Sequence, residues 1–74
     1  MVDQVLKRGW RRGEVTQIIY LDRQGRMTQR RIRIYTLNGE EVEAYCCERR
    51  AFRRFKRQGI LAAMKEERRS GPWQ

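Results

Sequence analysis

Arginine is the residue type with the widest chemical reach in this sequence. Arg30, Arg31 and Arg33 crowd one short stretch, and Arg49, Arg50, Arg53, Arg54, Lys56 and Arg57 crowd another. The 74 residues carry 18 Lys plus Arg against 9 Asp plus Glu, a formal charge of +9, and Arg dominates over Lys. A guanidinium grips phosphate with two parallel N–H donors and also stacks on bases and aromatic rings. Each phosphate neutralised releases counterions, so such binding is strongly salt-dependent. The expected partner is therefore a polyanion, nucleic acid or a nucleotide. Tyr45, with Tyr35 nearby, offers a stacking surface for single-stranded bases. The competing reading is a solvated basic face, with Arg33 simply paired to Glu43.

Other chemistries are poorly supplied. There is no His, so no imidazole base or metal ligand exists. Cys46 and Cys47 are adjacent and cannot staple distant segments, and no further Cys is present to build a metal site. They read as one core-facing and one exposed thiol. Glu40, Glu41 and Glu43 resemble a carboxylate cluster, yet alternation sends Glu41 and Glu43 to a solvated face. No catalytic residue, metal or cofactor is expected, and the chain reads as a non-enzymatic binding domain. No apolar run approaches membrane-spanning length and the start lacks a secretion signal, so the expected location is the cytoplasm.

The length allows one small domain, whose core supplies only about 3–5 kcal/mol. Residues 1–12 are expected to form a short helix and a basic joint. Val2, Val5 and Leu6 make one helical face that ends near Gly9, followed by Lys7-Arg8-Gly9-Trp10-Arg11-Arg12-Gly13. From Glu14 the pattern turns to strands over Glu14–Asp22, Met27–Leu37 and Glu40–Cys47.

Arg23-Gln24-Gly25 and Leu37-Asn38-Gly39 both read as three-residue hairpin loops with a left-handed Gly last. A two-residue Asn38-Gly39 turn would pair Ile34 with Glu43 and bury a carboxylate. The three-residue form instead pairs Ile34 with Val42, Ile32 with Ala44 and Arg30 with Cys46, and sets Arg33 opposite Glu43 and Arg31 opposite Tyr45. The first hairpin pairs Tyr20 with Thr28 and Ile18 with Arg30. Ile18, Tyr20, Ile32, Ile34, Val42, Ala44 and Cys46 then share one face.

The opposite face of the first hairpin carries Val15, Ile19, Leu21 and Met27 and needs a cover. The candidates are the N-terminal segment with Val5, Leu6 and Trp10, or a second copy of the chain. Trp10 is expected to pack over the sheet. Arg30 falls on the apolar face, where an unpaired charge is costly. It must reach the rim, pair with Glu48 or Asp22, or await an anionic ligand. Between Ala51 and Lys65 the residues leave helix and strand equally open. Phe52 and Phe55 are three apart, Ala62 and Ala63 favour helix, and Gly59 interrupts. Residues 67–74, with Ser70-Gly71-Pro72 and Trp73, are expected to be a flexible tail.

Two stretches resemble a known family. Ile18-x-Tyr20-x-Asp22-x-x-Gly25-x-x-Thr28-x-Arg30-x-Ile32 is similar to the opening of the bacterial WYL domain. Tyr45-Cys46-x-x-Arg49-x-x-Phe52-Arg53-x-Phe55-Lys56-x-x-x-Ile60 is similar to its closing half. The family's naming Trp-Tyr-Leu triplet falls on Glu40-Glu41-Val42, its basic residue before the closing Ile on Gly59, and no helix-turn-helix stands before the first strand. The resemblance implies a mainly β fold, a small Sm-like five-stranded β-barrel over residues 13–66 behind a short N-terminal helix. It implies a strand at Phe52–Arg57 and a last strand near Ile60–Lys65. It further implies ligand sensing in transcription regulation, with nucleotides or single-stranded nucleic acid as ligands and Arg53 close to them. Arg30 and Arg53 are thus an expected anion clamp. The binding set is Arg30, Arg31, Arg33, Tyr45, Arg49, Arg53, Arg54 and Lys56. The alternative is a protein-interaction module that self-associates through Val15, Ile19, Leu21 and Met27 or docks on an acidic partner.

Overall fold

Alternating apolar residues and β-branched runs give this chain its sheet, and a short amphipathic segment supplies a helix at its start. A computed structural model describes residues 2–66. Helix α1 spans Val2–Arg12. It is followed by β1 (Val15–Leu21), β2 (Met27–Leu37), β3 (Glu41–Cys46), β4 (Ala51–Lys56), a 3-10 turn at Arg57–Gly59 and β5 (Ile60–Lys65). The five strands form one antiparallel sheet in the order β4-β3-β2-β1-β5. The sheet is not closed, β4 and β5 being its two edges. No helix among the described residues is long and apolar enough to cross a membrane. The expected tail over 67–74, Trp73 included, lies outside the described residues.

The first hairpin has the expected register, Ile18 opposite Arg30 and Tyr20 opposite Thr28. Its loop is Arg23-Gln24-Gly25, with Gly25 at φ 80°. The Asp22 carboxylate fastens it by accepting the N–H groups of Gln24 and Arg26, each at 2.9 Å.

The second hairpin differs from expectation. Ile32 faces Cys46 and Ile34 faces Ala44, then the register shifts at Tyr35 so that Thr36 meets Glu43 and Leu37 meets Val42. Arg33 therefore sits opposite Tyr45, not Glu43, and Arg31 is not Tyr45's partner. The cause is the Asn38 side chain. Its oxygen accepts the N–H groups of Glu40 at 2.9 Å and Glu41 at 2.8 Å, and the Asn38 backbone N–H donates to the Glu41 carbonyl at 3.1 Å. That widened Asx turn needs no left-handed Gly39, whose φ is not positive. The longer loop displaces the pairing by three residues and the bulge at Tyr35 takes one back, so the net shift of two from the expected pairs leaves the faces unchanged. Ile18, Ile32, Ile34, Val42, Ala44 and Cys46 are all buried together.

Gly9 does not end the helix. It lies where α1 crosses β1, and a Cβ there would stand 2.2 Å from the Thr16 Oγ1. The helix stops instead at Gly13, at φ 65°, with the Glu14 N–H donating to the Gly9 carbonyl at 3.1 Å. Leu6 is fully buried in the core beside Ile18 and Ile32. Trp10 remains half-exposed and donates its indole N–H to the Tyr35 carbonyl at 3.0 Å. The helix thus packs on the core face. Of the two expected covers for Val15, Ile19, Leu21 and Met27, the N-terminal segment is ruled out, and Met27 is 65% exposed.

Ala51 to Lys65 is strand, turn, strand. Gly59 permits the turn, because a Cβ there would meet the Tyr20 ring at 2.8 Å and the Leu21 carbonyl at 2.9 Å. The sheet curls enough that Tyr20 of β1 meets Phe55 of β4 edge to face, ring centroids 5.0 Å apart. The Lys56 N–H donates to the Tyr20 hydroxyl across the same gap at 3.2 Å.

Candidate functional site

The curl creates a cleft of about 370 Å³ on the core side, with Tyr20 and Phe55 in its wall. Arg23, Arg30, Arg49, Arg53 and Arg54 also line it, together with Asp22 and Gln24. Arg30 arrives by parity, since it pairs with Ile18 and so shares the inner face. Arg53 sits opposite Ala44 on the same face of β4. Arg49 comes from the tight turn between β3 and β4, where Arg50 takes φ 53°. Arg23 comes from the first hairpin loop. The two residues expected to clamp an anion thus border one cavity.

Arg30 makes neither carboxylate pair foreseen for it. Its Nε donates to the Thr28 Oγ1 at 3.2 Å, its Nη1 lies 3.9 Å from the Cys46 Sγ, and its guanidinium carbon sits 5.7 Å from the Phe55 centroid. Asp22 is committed to its loop. One Glu48 oxygen accepts the Arg31 N–H at 3.1 Å, and the other lies 3.9 Å from the Arg31 Nη1. Among the described residues, Arg23, Arg30, Arg49 and Arg53 form no ion pair. Several guanidinium groups against the one Asp22 carboxylate leave an excess of positive charge along the cleft, which an anion offsets.

The remaining expected site residues lie elsewhere. Arg31 points to the outer face and donates from Nε to Glu66 at 2.6 Å. That hydrogen bond and the Glu66 charge hold its pKa above the ordinary guanidinium value. Arg33 lines a different depression with Glu14, Lys65 and Glu66. Lys56 sits opposite Glu41 and borders a third hollow with Glu40. Arg54 reaches Glu43 at 3.3 Å and Glu41 at 3.6 Å. The basic residues of each sequence stretch are thus divided between the two faces of the sheet.

Tyr45 joins an aromatic group on the outer face. It lies directly opposite Phe52, ring centroids 5.3 Å apart, and Tyr35 approaches Phe52 at the same 5.3 Å. Phe52 is 70% exposed and Tyr35 53%. Sequence reasoning missed Phe52 and Arg23 as site residues. The odd spacing of Phe52 and Phe55 was the available signal for Phe52, because a strand that buries one must expose the other. Nothing local marks Arg23, which reaches the cleft only through the curl. Cys46 is fully buried and Cys47 half-buried. Compared with known proteins, the chain matches no family model and no curated protein.

Proposed function

We propose that this protein is a non-enzymatic, ligand-sensing domain that binds an anion, nucleic acid or a nucleotide, in the cleft between β1 and β4. The observation that carries this reading is the convergence of Arg23, Arg30, Arg49 and Arg53 on one cavity, unpaired with any carboxylate among the described residues. Arg30 and Arg53 clamp the anion, Arg49 and Arg23 close over it, and Arg54 lends its edge. The order β4-β3-β2-β1-β5 and the curl toward Phe55 support reading the sheet as a small Sm-like barrel like that of the WYL domain. On that reading the domain works in the cytoplasm in bacterial transcription regulation.

The test is a titration with labelled single-stranded DNA and RNA at about 50 and 200 mM salt. Single strands lose affinity with a log–log slope of about −0.7 per phosphate contacted, so four contacts predict a loss of about 50-fold over that range. Absence of binding at the lower salt rejects the proposal.

A second reading has its own observation. Val15, Ile19, Leu21 and Met27 lie on the face that α1 leaves open. Self-association through that face predicts a concentration-dependent mass by sedimentation that Ile19→Glu reduces to the monomer. An unchanged mass removes it.

A further inference from the structure

The two edges of the sheet differ. β5 is bulged at Leu61, where its register on β1 shifts, and a bulge twists an edge away from partners. β4 pairs with β3 at every position from Ala51 to Lys56, with no bulge and no Pro. In an antiparallel pair the backbone groups of alternate residues turn toward the neighbouring strand. The Arg57 N–H donates to the Glu40 carbonyl at 2.9 Å, so Ala51, Arg53 and Phe55 turn their groups toward β3 as well. Phe52, Arg54 and Lys56 turn theirs to the open side. There the Tyr20 hydroxyl meets the Lys56 N–H at 3.2 Å. The N–H and C=O groups of Phe52 and Arg54 meet no strand among the described residues.

We propose that the open edge of β4 takes up an extended acidic peptide of a partner protein as an added antiparallel strand, its acidic side chains turned to the arginine side and its apolar ones to Phe52. The inference goes beyond the anion-binding reading, because it concerns the backbone edge rather than the ligand of the cleft.

Charge and apolar surface differ on the two sides of that edge. Toward the cleft, the arginines are offset by one lining carboxylate, Asp22, which already accepts two loop N–H groups. Toward the outer side, Glu43 and Glu41 offset Arg54 at 3.3 and 3.6 Å. Phe52 stands exposed there, in a groove of about 600 Å³ shared with Tyr35. A strand added to β4 sends successive side chains to opposite faces. The residue opposite Phe52 lies on the aromatic side, and those flanking it lie on the cleft side, opposite Arg53 and Ala51. Acidic residues alternating with apolar ones therefore match both sides at once.

The same charges select against other occupants. Antiparallel pairing of two β4 strands through Phe52 and Arg54 sets Arg53 opposite Arg53, a destabilising like-charge pair. Basic residues thus guard the edge against a second copy while favouring a strand of opposite sign. A nucleic acid backbone has no alternating N–H and C=O groups with which to continue the sheet.

The probe is a labelled nine-residue peptide of alternating Val and Asp with Phe at its centre. Its controls are a peptide of the same composition with the Asp residues in one block, and one with Lys in place of Asp. The wild-type protein is expected to prefer the alternating peptide to both. In antiparallel register the N–H groups of the apolar residues point at β4 and those of the Asp residues point away. N-methylation of the Phe and its two nearest Val residues should abolish binding, and N-methylation of the Asp residues should leave it. Arg54→Pro removes an outward N–H without touching the ladder to β3, and should weaken binding by about tenfold with an unchanged urea midpoint. Arg54→Ala keeps that N–H and should stay close to wild type. Phe52→Ala should weaken binding by about 2- to 5-fold.

Equal affinity for the block and alternating peptides would mean diffuse charge attraction and overturn strand addition. Equal effects of the two N-methylation patterns would overturn it independently of any protein variant. A concentration-dependent mass that Arg54→Pro abolishes and Ile19→Glu does not would give the edge to a second copy, overturning the peptide. None of these results touches the cleft, whose reading stands or falls on the oligonucleotide titration.

Discussion

Phe52 and Phe55 stand three residues apart on one strand and do opposite work. Phe55 is 1% exposed, holds Tyr20 edge to face and carries Arg30 above its ring. Phe52 is 70% exposed and, among the aromatic side chains of the described residues, touches Tyr45 and Tyr35. The same contrast runs through the arginines. Arg30 and Arg31 are neighbours in sequence, yet one faces the cleft without an ion pair among the described residues and the other is held by Glu66 and Glu48. A strand one residue thick gives two chemically independent surfaces, and charge density counted along the chain does not reveal which surface a residue serves.

The sharpest way to break the contrast is to truncate both rings. Phe55→Ala is expected to cost about 3–5 kcal/mol, which approaches the whole stability of a domain this small, so urea unfolding should find it largely unfolded. Phe52→Ala should cost no more than about 1 kcal/mol, the value of one cross-strand pair. Comparable losses for the two would mean that the outer aromatic group is structural.

Next in size comes the arginine pair, measured by oligonucleotide binding across salt. Arg30→Met keeps a stem over Phe55 and removes the charge, so the salt slope should fall by about one contact and affinity with it. Arg31→Met should leave both close to wild type, since that guanidinium is already engaged by two carboxylates. Equal effects from both substitutions would show that the whole basic surface binds diffusely.

Much of this architecture was legible along the chain. Alternation placed Ile18, Ile32, Ile34, Val42, Ala44 and Cys46 on one face, and all six are buried. The three-residue loop ending in Gly25 was readable because Gly and the flanking Asp22 encode it locally. The second hairpin was not. Asn38 offered two turn geometries, and the extra residue of a bulge at Tyr35 restored parity in a way that no local rule reports. Gly9 reads as a helix end because glycine weakens an isolated helix, whereas its role is to admit Thr16 at close range. The resemblance over Tyr45 to Ile60 assigned strands where the residues alone left the choice open, and β4 and β5 stand there.

What the amino-acid order determined by itself is the inward or outward sense of each strand residue, because side-chain direction follows a period of two wherever one face must leave water. It also determined that a strong positive charge, carried mainly by guanidinium groups, would meet any partner. Only the tertiary structure decided which arginines share a cavity. That depends on the curl of the sheet, which brings the first hairpin loop and the β3–β4 turn beside Arg30, and curl arises from contacts such as Tyr20 with Phe55 that lie far apart in the chain.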